Sequence, residues 1–295
     1  MMEFPISGVE TYWWLPMLVA FGISVLTSMG GVSGAFLILP FQISILGFTW
    51  PAVSPTNLVY NIVAIPSGVY RYWRERRMVR PLTWTIIIGT LPGVFIGAII
   101  RVKYLPDPRN FKVFAGLVLL YIAVRLISDI IKKKRAQSKG NGEFVVKPIT
   151  TGWETISYEF DGVVYRVSTV GLLALSIIVG VIGGIYGIGG GAIIAPFLVA
   201  VFGLPVHTVA GAALMGTFVT SIAGVVFYTL IAPFYTDTGL AITPDWLLGG
   251  MFGVGGAAGM YVGARIQRYV PARIIKIILA AAMLFIAVKY ISGVF

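Results

Sequence analysis

The sequence contains no cysteine, one histidine and few charges: only 11% of its 295 residues are Asp, Glu, Lys or Arg. Without cysteine, neither a disulfide frame nor a thiolate metal site is possible. His207 and eleven carboxylates are all that remains as candidate catalytic groups. The shortage of charge excludes still more. Soluble domains run near 45–50% apolar and about a quarter charged, whereas this chain is 58% hydrophobic with a mean hydropathy of +0.91. It lacks the polar surface that a cytosolic enzyme, a secreted domain or a nucleic-acid reader of this size would need. The expectation is an integral membrane protein with the lipid bilayer as its surroundings. Long continuous apolar runs argue against a β-barrel, whose strands show roughly ten-residue alternating segments. The start, Met1 to Trp14, has no positive region of the kind that opens a signal peptide.

The charges that are present fall in blocks. Sixty consecutive uncharged residues separate Glu10 from Arg71, and seventy separate Arg166 from Asp237. A helix needs roughly 20 apolar residues to cross the hydrocarbon core, so each run holds two to three. The net charge of +11 reads as Lys and Arg enrichment in short cytoplasmic loops, not as a nucleic-acid surface.

The chain also repeats itself. At an offset of 156 residues, Gly31-Val32-Ser33-Gly34 falls on Gly187-Ile188-Gly189-Gly190, Pro40-Phe41 on Pro196-Phe197, Leu58 on Leu214, Gly68 on Gly224 and Tyr72 on Tyr228. At an offset of 164, Tyr121 to Arg125 falls on Phe285 to Lys289; between these blocks, Gly89, Gly93 and Gly97 find counterparts in Gly255, Gly259 and Gly263. Loop charge then orients the halves. Arg71 to Arg80 carries five arginines and one glutamate and reads as cytoplasmic; its counterpart, Ala232 to Asp245, carries Asp237 and Asp245 and no base. Arg125 to Lys139, with Lys132-Lys133-Lys134-Arg135, and Arg265 to Lys276 also read as cytoplasmic. One loop disagrees: Arg101, Lys103, Arg109 and Lys112 would face outside with only Asp107 against them. Equivalent loops on opposite sides predict inverted repeats.

The fold class expected is an all-α polytopic membrane protein. Its first repeat spans residues 1–139, a small cytoplasmic β-hairpin linker 140–167, and its second repeat 168–295. Each half reads as five helical segments: Thr11 to Met29, Ala35 to Gly47, Ala52 to Tyr72, Leu82 to Ile100 and Arg109 to Ile131, then Ser168 to Ile185, Gly191 to Phe202, Val206 to Ile231, Asp245 to Ile266 and Ala272 to Ser292. At about 13 residues, the second segment of each half rises only some 20 Å, short for a crossing. Phe160-Asp161-Gly162-Val163 is a hairpin-turn signal. Both chain ends are expected outside.

Glycines and scarce polar residues mark a candidate site. Clustered glycines, at Gly183 to Gly191 and again at Gly30 to Gly34, break a helix inside an apolar run. Freed backbone groups are tolerated at membrane depth only where protein or a water-filled cavity surrounds them. The short helix that follows points its N-terminus at the gap, an anion-binding device of broken-helix transporters. The triplets Gly89/Gly93/Gly97 and Gly255/Gly259/Gly263 read instead as packing faces. Asn57 and Asn61 share one helix face, with Thr56 beside them and Ser33 in the preceding break; Thr217 falls opposite Asn61 in the repeat, followed by Thr220 and Ser221. These donors could surround an oxyanion or serve as glue between helices. The candidate substrate-binding set is Gly31, Ser33, Gly34, Thr56, Asn57, Asn61, Gly189, Gly190, Gly191 and Thr217, with the two breaks meeting as one site. His207 reads as a capping or interfacial residue. No carboxylate lies in either long run, which disfavours a proton- or cation-relay pump. No metal ligand set and no cofactor motif is found; Gly187-x-Gly189 lacks the strand and the acidic residue of a dinucleotide fingerprint.

At these residues the sequence resembles the sulfite exporter TauE/SafE family of membrane transporters. The resemblance rests on Gly187-Ile188-Gly189-Gly190-Gly191 to Pro196, on Gly30-Gly31 to Pro40, on the later Gly-x-x-x-Gly helices and on the basic loop after Tyr72, and it runs from about Leu18 to Ile291. The first-half turn departs from the family's glycine run with Ser33 and Ala35, and Ser54-Pro55-Thr56-Asn57 replaces the small-residue stretch seen at Ala210 to Ala213. The resemblance implies export of sulfite or small organosulfonate anions across the cell membrane. A passive small-anion channel is the alternative, and a membrane-embedded enzyme a third reading, poorly served by one histidine and no carboxylate cluster. A homo-oligomer is left open by the sequence.

Overall fold

The computed structural model describes residues 1–29, 32–74, 78–131, 146–152, 154–200, 202–266, 270 and 272–293. Among these, the first half contains α1 (Trp14–Met29), α2 (Ala35–Ser44), α3 (Val53–Ala64), α4 (Pro66–Arg74), α5 (Arg80–Lys103) and α6 (Pro108–Ile131). The second half contains α7 (Thr169–Tyr186), α8 (Gly191–Ala200), α9 (Val206–Ile231), α10 (Trp246–Ile266) and α11 (Ala272–Ile291). By length and composition, the spans Arg80–Lys103, Pro108–Ser128, Thr169–Tyr186 and Thr208–Thr238 suffice to cross a membrane. The protein is thus mostly helical, as the apolar runs predict.

The third segment of the first half is two helices, not one. Pro66 has no N–H to offer the carbonyl of Ile62, and the chain turns there into the amphipathic α4. Its repeat, α9, has no proline inside and runs unbroken for 26 residues. Two small sheets complete the described fold. An N-terminal hairpin, β1 (Met2–Phe4) and β2 (Val9–Thr11), was not foreseen. The linker holds three strands where two were expected: β3 (Lys147–Thr151), β4 (Thr155–Phe160) and β5 (Val163–Ser168), in order β3-β4-β5. The predicted turn joins β4 to β5 with Asp161 and Gly162 both at positive φ, 53° and 74°, the pairing that suits strand twist.

The halves are cross-packed. Gly255, Gly259 and Gly263 of α10 lie against the backbone of Met17, Phe21 and Val25 in α1, and Gly89, Gly93 and Gly97 of α5 lie against α7 from Leu173 to Ile185. Each half's fourth long segment therefore seats the other half's first. Small side chains are what allow this approach; a Cβ on Gly180 of α7 would sit 2.5 Å from the Thr90 carbonyl oxygen. Segments α3–α4 and α9 pack antiparallel: Leu58 meets Gly224, Leu214 meets Gly68 and Tyr72 meets Gly211. The Leu58–Gly224 and Leu214–Gly68 contacts are one contact made twice, since both pairs match at the 156-residue offset.

The two sheets sit at opposite ends of α9. Tyr158 of β4 shares a 2.8 Å hydrogen bond with Thr208, two residues into α9, and burial pushes its phenol up to about 12. At the far end, the 3-10 turn Ala232–Thr238 leads to Asp245. Asp245 accepts from the backbone N and Oγ of Ser7, beside the N-terminal hairpin, and caps α10 by accepting from Leu248 N at 3.0 Å. With 26 residues at 1.5 Å each, those ends are about 39 Å apart.

Candidate functional site

The last carbonyls of a helix have no intrahelical partner, and α7 ends in the protein interior. Its end is resolved locally first. Gly187 takes the left-handed conformation (φ 80°), and the N–H groups of Gly187 and Ile188 both return to the Gly183 carbonyl, at 2.8 and 3.1 Å. Gly189 is left-handed as well (φ 73°), so the chain reverses twice before α8 starts at Gly191. Side chains from α3 and α9 then take four further carbonyls of the helix end and the break. Tyr228 Oη donates to Gly184 O at 3.1 Å and Ser54 Oγ to Ile185 O at 3.0 Å. Asn57 Nδ2 donates to Gly187 O and Asn61 Nδ2 to Ile188 O, both at 3.0 Å.

The first break joins the same cluster. Asn57 Nδ2 also donates to Ala35 O, at 2.9 Å, so one amide bridges the two breaks. Ser33 Oγ donates to Asn61 Oδ1 at 2.7 Å and accepts from Ala35 N at 3.3 Å. Pro40 inside α2 leaves the carbonyl four residues earlier, Phe36 O, without its helical donor. Tyr186, at the end of α7, donates its hydroxyl there at 2.9 Å. Asn57, Asn61, Ser33, Tyr60, Tyr186 and Tyr228 are all buried, which strengthens these bonds and makes any unmade one costly.

Most of the candidate residues come together, though not in equal roles. Ser33, Gly34, Asn57, Asn61, Gly189, Gly190, Gly191 and Thr217 form one buried layer. Gly34 opens α2 with Tyr60 Oη 2.6 Å from where a Cβ would lie, and the same construction puts Gly189 2.9 Å from the Thr217 methyl. Gly190 N donates to Thr220 Oγ1 at 3.3 Å, and Gly191 abuts Thr217. The Thr217 hydroxyl returns to its own helix at Ala213 O, 2.9 Å away. The amide hydrogens of Asn57 and Asn61 are held by backbone carbonyls, so these two side chains tie the breaks together. Thr56 faces away: its Oγ1 donates to Ala52 O and accepts from Asp245 N at 2.8 Å, at the start of α10. Gly30 and Gly31 lie outside the described residues, as do Lys132 to Arg135 and the side chain of His207.

Two atoms of the layer have no hydrogen-bond partner among the described residues: Asn57 Oδ1, an acceptor, and Ser221 Oγ, beside Gly189. The hydroxyls of Thr217 and Thr220 bond only carbonyls of their own helix or, for Thr220, one break N–H as well. Such hydroxyls can turn toward a guest at small cost. The layer is thus a set of neutral hydroxyls and amides around two helix starts, with no carboxylate among the described residues. Sequence reasoning assigned no role to Tyr60, Tyr186 or Tyr228, nor to Thr90, whose methyl faces Gly190. The proline in α2 was the available signal for Tyr186, since a freed carbonyl needs a donor.

A family model described as "Sulfite exporter TauE/SafE" matches residues 16–290. A "Probable membrane transporter protein YunE" of Bacillus subtilis (strain 168) is 24% identical over 289 residues, covering 95% of this chain and 98% of its own. A "Probable membrane transporter protein YjnA" of the same organism is 22% identical over 281 residues, covering 93% and 98%. No solved structure gives a significant match.

Proposed function

The chain belongs to the sulfite exporter TauE/SafE family, and on that premise we propose that it is a secondary transporter exporting sulfite or small organosulfonates through the layer where the two breaks meet. Family membership and the two full-length relatives make it a membrane transporter. The observation that carries the finer reading is the bridge by Asn57 between Ala35 O and Gly187 O. It ties the start of α2 to the turn that ends α7, four residues before α8 begins. Both breaks, each followed by a helix start with partial positive charge, are so brought into one buried layer that holds no carboxylate among the described residues.

In this reading an oxyanion is met by the starts of α2 and α8 and by the hydroxyls of Ser33, Thr217, Thr220 and Ser221, while Asn57 and Asn61 keep the breaks in register. Neutral donors favour anions over cations, because no carboxylate is present to hold a cation. A carrier is favoured over a channel by the cross-packed halves, since two bodies that exchange helices can rock about a shared layer. Antiparallel packing of the sequence-equivalent α3–α4 and α9 supports an inverted arrangement across the cell membrane. The loop charges support a cytoplasmic linker sheet with both chain ends outside.

Radiolabelled sulfite flux into proteoliposomes tests this. We expect saturable flux, competed by methanesulfonate and lowered several-fold by Ser221→Ala at unchanged protein insertion. Flux no greater than in protein-free liposomes overturns the sulfite reading.

A further inference from the structure

The sequence reads Arg101 as a charge outside the membrane at the end of a span. In the structure it is fully buried. Helix α5 continues to Lys103, and the guanidinium turns inward, stacking 3.7 Å above the ring centre of Phe111. One nitrogen, Nη1, donates to the carbonyl of Leu105. Nε and Nη2 have no hydrogen-bond partner among the described residues. The phenol of Tyr228 lies close enough to interact electrostatically with the charge.

A buried cation without an anion is costly, and the compensation visible here is partial: one carbonyl, one aromatic face and the negative end of α5. The edge left free is informative. Nε and Nη2 present parallel N–H bonds, the fork that takes two oxygens of a carboxylate, sulfo or phospho group. Arg101 is eleven residues beyond Thr90, the neighbour of Gly190, so it stands about 16 Å along α5 from the breaks. Tyr228 lies between, with its hydroxyl on Gly184 O at the end of α7.

We propose that Arg101 is a second anion-binding group, distinct from the layer at the breaks, taking two oxygens of a small oxyanion on its free Nε/Nη2 edge. It rests on the transport reading only for which oxyanion that is. Placed at the end of the protein that carries the Ala232–Thr238 turn, it is a station that an anion occupies before or after the breaks. The free edge attracts an anion, and an anion bound there neutralises the buried charge, so occupancy stabilises the fold.

Thermal unfolding of the purified protein, followed during titration with sodium sulfite, sodium phosphate or sodium chloride at matched ionic strength, tests this. In the wild type an oxyanion should raise Tm saturably beyond the effect of chloride. Arg101→Lys keeps the charge but loses the fork and should raise the half-saturating concentration roughly tenfold. Arg101→Met should remove the part of the rise attributable to this station. Replacing a merely structural arginine would lower Tm equally at every anion concentration and leave half-saturation unmoved. That result in Arg101→Lys overturns the proposal, as does a wild type that no oxyanion stabilises beyond chloride. A rise with phosphate but not with sulfite upholds the Arg101 station and overturns the sulfite reading, whereas sulfite flux with wild-type KM in Arg101→Lys does the reverse.

Discussion

In the first half the third segment is two helices hinged at Ile65 and Pro66, and it carries Ser54, Asn57 and Asn61; in the second it is the unbroken α9, with Ala210, Ala213 and Thr217 at the matching places. The same backbone plan thus bears donors on one side and small residues on the other. The consequence is visible at the breaks. Asn57 and Asn61 reach across to Gly187 and Ile188, whereas Ala213 and Thr217 make room for Gly191, whose added Cβ would strike the Ala213 carbonyl. The halves share matching sequence positions and a common backbone plan, and they differ in the side chains that they bring to the breaks.

The largest expected effect comes from erasing that difference. Asn57→Ala removes the donor shared by two buried carbonyls, and at roughly 1–3 kcal/mol for each group left unsatisfied it should cost about 2–6 kcal/mol. Urea or thermal unfolding in detergent would measure it. A loss under 1 kcal/mol would mean that the bridge is dispensable and the two sides are equivalent after all.

Where the halves agree, their variants should agree. Gly93→Ala and Gly259→Ala each push a methyl into the facing backbone, of α7 and α1 respectively. Each should cost about 1–3 kcal/mol, the usual price of overpacking. Gly250→Ala, with nothing within 4 Å of its added Cβ, is the control. A neutral Gly93→Ala beside a damaging Gly259→Ala would show that the two cross-packed seams are not alike.

The smallest perturbation tests how the halves are oriented. Val164 in β5 and Thr238 after α9 are both exposed, so cysteines there in this cysteine-free chain should leave stability within about 0.5 kcal/mol. Membrane-impermeant maleimide should label them from opposite faces of sealed vesicles. Labelling of both from one face would sink the inverted arrangement.

The helices were legible because apolar runs of that length admit little else, and the Gly-x-x-x-Gly faces because spacing by four on a helix has one meaning. The hinge at Pro66 was hidden inside an uncharged run that looked continuous. β1, β2 and β3 were missed because three to five residues carry too little periodicity to stand out. At the breaks, residue types identified the donors but not their acceptors. Whether Asn57 serves a carbonyl or a guest depends on where the end of α7 lies, and that is set by packing some 130 residues away in sequence. Arg101 was misplaced for a related reason: a charge at the end of an apolar run looks the same whether it points to water or to Phe111.

The exchange of helices between halves also shapes how the chain is made. During synthesis α1 emerges about 230 residues before α10, the helix it packs against, an interval on the order of 10–50 s at ordinary elongation rates. Through that interval the glycine-matched face of α1 has only lipid or the insertion machinery to lie against. The first half is therefore not a finished object awaiting a copy of itself. It is held open on the ribosome until the last sixth of the polypeptide arrives to close it, so a stop codon after the linker would leave an inserted but unfinished product for membrane proteases.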